Sequence, residues 1–237
     1  MTLAEFSNGF DILVSSYRRF KDFDNKEMLD SIEFDEYEKS FYLTKSQEEL
    51  IHSYYDGKNI YGDSFESTEE LRRQLDILVE TKVYQIDEAI QSTAVNSNSV
   101  FFTLPNNLDF IVMEQITFAD TSLGCYNGTT VKVQPIKHDE YSNIKNNPFK
   151  GPNKYKAIRL DSGNNVVEII SQYDFNQYLI RYIRKPSPII LETLPNGLTI
   201  DGENEATECE LNPILHNNIL ERAVLMALRA KGINTEK

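Results

Sequence analysis

Two cysteines, three histidines and a few neighbouring carboxylates are the groups in this 237-residue chain that first invite chemistry. Cys125 and Cys209 lie 84 positions apart, with neither metal-ligand nor disulfide-framework spacing, and read as unpaired thiols of a reducing compartment. His52, His138 and His216 are remote from both cysteines and from each other. His138 precedes Asp139-Glu140, an order that suits the start of a helical turn, where acids offset the N-terminal dipole, better than a metal site. Asp35-Glu36 with Glu38, and Glu48-Glu49, look like paired carboxylates. Adjacent helical residues point about 100° apart, so these do not face one another as an acid–base pair. No GxxxxGK[ST], GxGxxG or GxSxG motif occurs. A Cys–His site formed by distant residues, such as Cys125 with His52 or His216, is left open by the sequence as an enzymatic alternative.

Positive charge is the other chemical signal. Lys145, Lys150, Lys154, Lys156 and Arg159 cluster, as do Arg181, Arg184 and Lys185. Lys154 and Lys156 flank Tyr155, so on a strand both lysines share a face. Two readings fit: lysines protecting an edge strand from aggregation, or a patch that docks on the acidic helices of a neighbouring copy. Head-to-tail complementarity of the second kind favours a closed ring.

The elements that must carry these groups follow from periodicity. Leu3, Phe6, Phe10, Leu13, Val14 and Tyr17 form one helical stripe, which Gly9 weakens by about 1 kcal/mol unless it permits close packing. A second helix begins near Glu33 and runs through Phe34, Tyr37, Leu43, Leu50 and Tyr54, with Gly57 as C-cap. Ser67 and Glu70 suggest a capping box for a third helix through Leu71, Leu75, Leu78 and Val79. Residues 85–99 read as a hinge or loop.

From Val100 the period is two. Strands are expected at Val100–Leu104, Asp109–Phe118, Leu123–Tyr126, Thr129–Gln134, Tyr155–Leu160, Val166–Ile170 and Tyr178–Ile183. Asn127-Gly128 supplies a hairpin turn and Asp139–Lys145 a short helical turn. Ile189–Glu210 reads as an extended acidic connector, and the last helix is framed by Asn212, Pro213 and Gly232. The fold class is therefore α+β: an N-terminal helical bundle, an antiparallel β-sheet region and a closing C-terminal helix. The expected domains are 1–84, helical; 85–99, hinge; 100–191, β; 192–211, acidic connector; and 212–232, a helix packing on the helical region.

Charge divides along the same lines. Residues 1–100 hold 21 Asp and Glu against 10 Lys and Arg, residues 101–191 hold 8 against 10, and residues 192–237 hold 8 against 4. A net −13 excludes a sequence-independent nucleic-acid clamp, which needs a dense basic face, but suits a conduit that repels DNA. MTLAEFSNGFDILVSS has no basic flank or apolar run, so no secretory signal is expected, and no window approaches a membrane span.

Several segments together resemble one family: FDEYEKSFYLTKSQEELI, YDGKNIYGDSFESTEELRRQL, SLGCYNGTTVKVQPIKHDEYSNIKNNPFKGPN, YLIRYIRKPSPIIL and CELNPILHNNILERAVLMAL. It is the tail-ring, or head-to-tail connector, family of crAss-like and related phages of Bacteroides-type bacteria, matched in order over nearly the whole chain. The resemblance implies a virion structural protein, made in the host cytoplasm, forming a dodecameric ring below the portal. Such a ring would join the capsid to the tail and surround the DNA exit channel, with only transient, non-specific proximity to DNA. Implied partners are further copies of the chain, the portal protein, and neighbouring ring or fibre proteins. Neither cofactor nor catalytic residue is implied. A lower ring or fibre-attachment adaptor is the alternative role. Candidate subunit-interface residues are Lys145, Lys150, Lys154, Lys156, Arg181 and Arg184, with Leu225 and Leu228 expected to be exposed in the monomer and buried by a neighbour.

Overall fold

The computed structural model describes residues 1–20, 33–56, 68–92, 94, 99–145, 147, 149–195 and 197–233. The chain divides into two compact units, Met1–Leu78 with Pro186–Lys237, and Val79–Lys185. The class is the expected α+β, with helices at the start, a mostly antiparallel sheet and a closing helix.

Among its described residues the first unit has three long helices, α1 (Leu3–Phe20), α2 (Glu36–Tyr55) and α5 (Pro213–Ala230), with a short α3 (Glu69–Leu75). Phe6, Phe10 and Val14 bury the α1 stripe. Gly9 meets Leu220 of α5 so closely that an added Cβ would lie 2.7 Å from its Cδ2. The glycine therefore serves helix contact, not flexibility. Asp35 and Glu38 form a reciprocal capping box that starts α2, while Asp56 closes it; Gly57, the expected cap, lies outside the described residues. Thr68, not Ser67, caps α3 by accepting from the Leu71 amide, and Ser67 also lies outside the described residues.

The extended segment after Pro186 is more than a connector. It is strapped along α2: the Thr44 hydroxyl takes the Ile189 amide at 3.0 Å, that of Ser40 takes the Leu191 amide at 3.0 Å, and Gln47 donates to the Ser187 carbonyl. Ile190, Leu194 and Ile200 then form a small core of their own, pinched by the Ile190–Thr207 and Ile200–Glu203 bridges. The final helix has the expected boundaries, with Asn212 accepting from Ile214 and Pro213 in the first turn. Its buried face comprises Leu215, His216, Ile219, Leu220, Ala223, Val224, Ala227 and Leu228.

The second unit is a curled seven-stranded sheet, ordered β1-β7-β3-β4-β5-β6-β2. The strands are β1 (Val79–Gln85), β2 (Ser99–Thr103), β3 (Leu108–Phe118), β4 (Thr130–Pro135), β5 (Lys156–Gly163), β6 (Val166–Ile170) and β7 (Phe175–Arg184). Every strand supplies at least one residue to a single core that includes Tyr84, Phe102, Ile116, Val133, Ala157, Ile169 and Tyr178. The curl brings the two edge strands together: the Tyr84 hydroxyl of β1 donates to the Thr103 carbonyl of β2 at 2.8 Å. Just beyond β1, Ile90 bridges to Phe101. A helical turn, α4 (His138–Ile144), covers the opposite face of β5 and β6, packing Tyr141 on Ile158, Leu160 and Ile170.

Four expectations change here. Val79–Gln85 is a strand, not the end of a helix or the start of a hinge. Leu123–Tyr126 belongs to a 3-10 turn over Thr121–Tyr126, where Gly124 takes φ 57°, and Asn127-Gly128 then leads into β4. The sheet is not wholly antiparallel, because β4 and β5 run parallel, with α4 in the crossover. Finally, β5 lies between β4 and β6 and is not an edge strand needing lysine protection.

Candidate interaction surface

Most of the groups that could have carried chemistry have structural partners, whereas Cys125 is an exposed free thiol. Cys209 Sγ contacts Gln47 Oε1 at 3.3 Å, and burial pushes its thiol up to about 11. A thiol so hard to ionise is a poor nucleophile. His216 donates from Nε2 to the Leu211 carbonyl at 2.9 Å and accepts at Nδ1 from the Met1 ammonium at 2.7 Å. Both ring nitrogens are thus engaged in the neutral form, and burial lowers its pKa. The His138 Nε2–H donates to the Asp161 carbonyl at 2.8 Å. Asp35 caps α2, and Glu36 binds Lys39 at 2.9 Å, where Asp11 of α1 also meets the same ammonium at 2.8 Å.

Not all the basic residues behave alike. Arg159 points into the core of the curled sheet, pairing with Glu114 at 2.8 Å and Asp161 at 3.2 Å. Glu114 also accepts from the buried Tyr178 hydroxyl. Arg184 pairs with Glu80 at 3.1 Å, the same carboxylate that accepts from Tyr182. Lys156 donates to Gln134 at 3.3 Å. Lys154 lies in a turn, not a strand, with its ammonium 4.6 Å from the Tyr126 ring centre and 5.0 Å from that of Tyr155. Arg181 is exposed on β7, as are Lys145 and Lys150 in the loop after α4.

The described residues of that loop are tied together by hydrogen bonds. Asn147 Oδ1 accepts the amides of Phe149 and Lys150 at 2.9 and 3.1 Å, and its carbonyl accepts from Gly151 at 2.7 Å. Gly151 is buried so tightly that a Cβ would sit 2.9 Å from the Ile144 carbonyl oxygen. Asn153 repeats the device, accepting the Tyr155 amide at 2.9 Å. The result presents Phe149 at 87% exposure and Tyr155 at 60%, among four lysines with no acidic residue between Lys145 and Lys156. Sequence reasoning found the lysines but missed Phe149; Asn-Asn-Pro before it and Gly-Pro after it were the available signal.

The helical unit carries a different feature. Between α2 and α5 lies an open groove of about 600 Å³, lined by Glu49, Asp56, Arg222, Leu225, Met226 and Arg229 among others. Leu225, expected at an interface, is therefore half-buried in a groove wall. Leu228 differs from expectation: it is 1% exposed, facing the unit's own core. Replacing it with Glu would unfold the helices before testing assembly. Among the described residues no helix is long and apolar enough to cross a membrane.

The acidic excess also sorts by unit. The helical unit has 26 Asp and Glu against 13 Lys and Arg, and the β unit 11 against 11. All of the net −13 therefore resides on the first unit.

Comparison with known proteins gives a consistent result. A family model described as phage tail ring protein 3/4 matches residues 1–237. "Ring protein 3" of Bacteroides phage crAss001 is 44% identical over 233 residues, spanning 98% of this chain and 96% of that protein. "Ring protein 4/5" of the same phage is 34% identical over 244 residues, spanning 97% and 93%.

Proposed function

Because the chain belongs to the phage tail ring protein 3/4 family, and is thus a structural, non-enzymatic component of a phage tail, we infer that it forms a homo-oligomeric ring below the portal. In this reading about twelve copies join the capsid vertex to the tail and surround the channel through which DNA leaves. The observation that carries it is the charge partition: one unit holds the whole net negative charge, while the other is neutral with a basic, aromatic loop. A lumen lined by carboxylates repels phosphate and leaves DNA mobile. The β unit, with Lys145, Lys150, Lys154, Lys156 and Arg181, is then free to meet neighbours in the ring. The portal and adjoining ring or fibre proteins are the axial partners of this arrangement.

Similarity to two ring proteins of one phage makes a different level of the same stack the second reading, and the higher identity to "Ring protein 3" favours that position over the one of "Ring protein 4/5". Cryo-imaging of the intact tail with this chain traced tests both. The expected result is a single-level ring with Asp and Glu of the helical unit toward the channel. A lumen lined mainly by Lys154, Lys156 and Arg184 overturns the lumen assignment, and density for this chain at fibre bases overturns the ring position.

A further inference from the structure

The curled sheet leaves one outer face bare. Inward side chains of β1, β7, β3 and β4 fill the core, and α4 covers the outer side of β5 and β6. Among the described residues nothing covers the outer side of the other four strands, where Val83 and Met113 stay exposed. Strand registers place Val83, Leu179, Gln115, Lys132 and Lys156 in one row across this face, with Arg181 opposite Met113 in the next row. We propose that this face docks the acidic hairpin of residues 200–208 of a second copy, with Arg181, Lys132 and Lys156 meeting its carboxylates. The contact rests on the ring reading and gives it a specific joint.

Three observations carry it. First, the charge on the face has one sign. The outward positions of residues 81–85, 113–117, 130–134 and 177–181 include no acid. Arg181 and Lys132 have no ion-pair partner among the described residues, and Lys156 donates to the neutral Gln134 side chain. Second, the face has an apolar centre: Val83 is 42% exposed and Met113 38%, with Leu179 half-buried beside both. Burying aliphatic side chains favours a protein occupant over a phosphate backbone. Third, the hairpin carries the opposite sign. Asp201, Glu203, Glu205 and Glu208 are all exposed, none has an ion-pair partner among the described residues, and no Lys or Arg occurs in residues 186–221. Ile200 and Glu203 exchange amide-to-carbonyl bonds of 2.9 and 3.0 Å around a turn in which Asp201 and Gly202 take φ 51° and 89°. The Ile190, Leu194 and Ile200 core supports that turn, so the hairpin loses little freedom on docking. Leu198, exposed just before it, offers an apolar side chain to Val83 and Met113. A cationic face without acids and an anionic hairpin without cations attract one another and repel their own kind, which selects a second copy as the occupant. Face and hairpin are different surfaces, so the contact is heterologous, the type that closes into a ring.

Sedimentation velocity on the full chain over a concentration series tests the joint. The wild-type chain is expected to form concentration-dependent oligomers. Lys132→Glu with Arg181→Glu should raise the concentration needed about tenfold or more, and so should Glu203→Lys with Glu205→Lys. All four side chains are exposed, so the circular dichroism spectrum and melting point should not change. Each double variant carries like charge on both of its surfaces and should fail alone. Mixed together, every face meets a hairpin of opposite sign, and assembly should return. A mixture that stays monomeric, or a Lys132→Glu/Arg181→Glu chain that assembles like wild type, overturns the joint and leaves ring membership intact. Binding of a short labelled DNA duplex that is lost in the Lys132→Glu/Arg181→Glu chain while self-association persists overturns it too, assigning the face to phosphate. A wild-type chain monomeric at every concentration also overturns it, while the ring itself is judged separately by imaging the tail.

Discussion

Glu114 and Arg159 show how much of this protein's chemistry is spent on its own interior. Each would be costly alone in the sheet core; together they are ion-paired, with Tyr178 donating to Glu114 and Asp161 adding a second carboxylate to Arg159. Glu114→Ala leaves Arg159 without its buried partner, and urea unfolding should record a loss of about 3–5 kcal/mol. Changing Asp161, whose carboxylate is largely in water, should cost under about 1 kcal/mol. The core phenols give a pH prediction. Burial, and secondarily the Glu80 carboxylate, push Tyr182 up to about 12 from 10.0, while burial holds Tyr84 and Tyr178 higher still. A raised folded-state pKa means the native protein binds the proton more tightly than the unfolded chain. The resulting stability is fully present below pH 10 and is lost as pH climbs through 12. Absorbance titration of the 13 tyrosines should show these three ionising late, together with alkaline unfolding. Complete titration near pH 10 with the native spectrum retained would contradict this.

Among the elements, the α1–α5 crossing depends on Gly9. Alanine there gains up to about 1 kcal/mol of helix propensity but pushes on the terminal methyl of Leu220, so the net change should stay within about 1 kcal/mol. Gly9→Val has no such balance and should cost about 1–3 kcal/mol, read from thermal melts. The long helices were legible because their apolar residues recur every three or four positions, and the last helix because Asn212-Pro213 and Gly232 mark its ends. Strand β1 was not legible. VETKVYQ places Glu80 and Lys82 on the same side as Tyr84, and only the finished sheet supplies their partners: Arg184 and Tyr182 for Glu80, the Tyr84 ring for Lys82. Arg159 was grouped with surface lysines for the same reason, since nothing local announces Glu114 from β3. Phe149 was overlooked because a lone aromatic in a loop has no period. Leu228 was misplaced because α5 has more apolar positions than its core uses: Leu228 turns inward with Val224, while Leu225 and Met226 line the groove.

At the scale of the whole molecule, Val79–Lys185 is one continuous stretch inserted into a helical unit made from both ends of the chain. It contains its own core, drawn from all seven strands. Expressed alone, it should fold with a sharp near-ultraviolet melting transition; a broad, non-cooperative melt would show that it needs the helices. The helical unit should tolerate replacement of the stretch by a short linker, because its two breakpoints are neighbours: Val79 pairs directly with Ile183 in the β1–β7 ladder. That pairing has a mechanical consequence. Tension between the two units would enter β1 and β7 from the same end, so their rungs would open one after another, as in a zipper, instead of resisting together in shear. Under such a load the ladder would peel first at Val79 and Ile183, the pair next to both breakpoints.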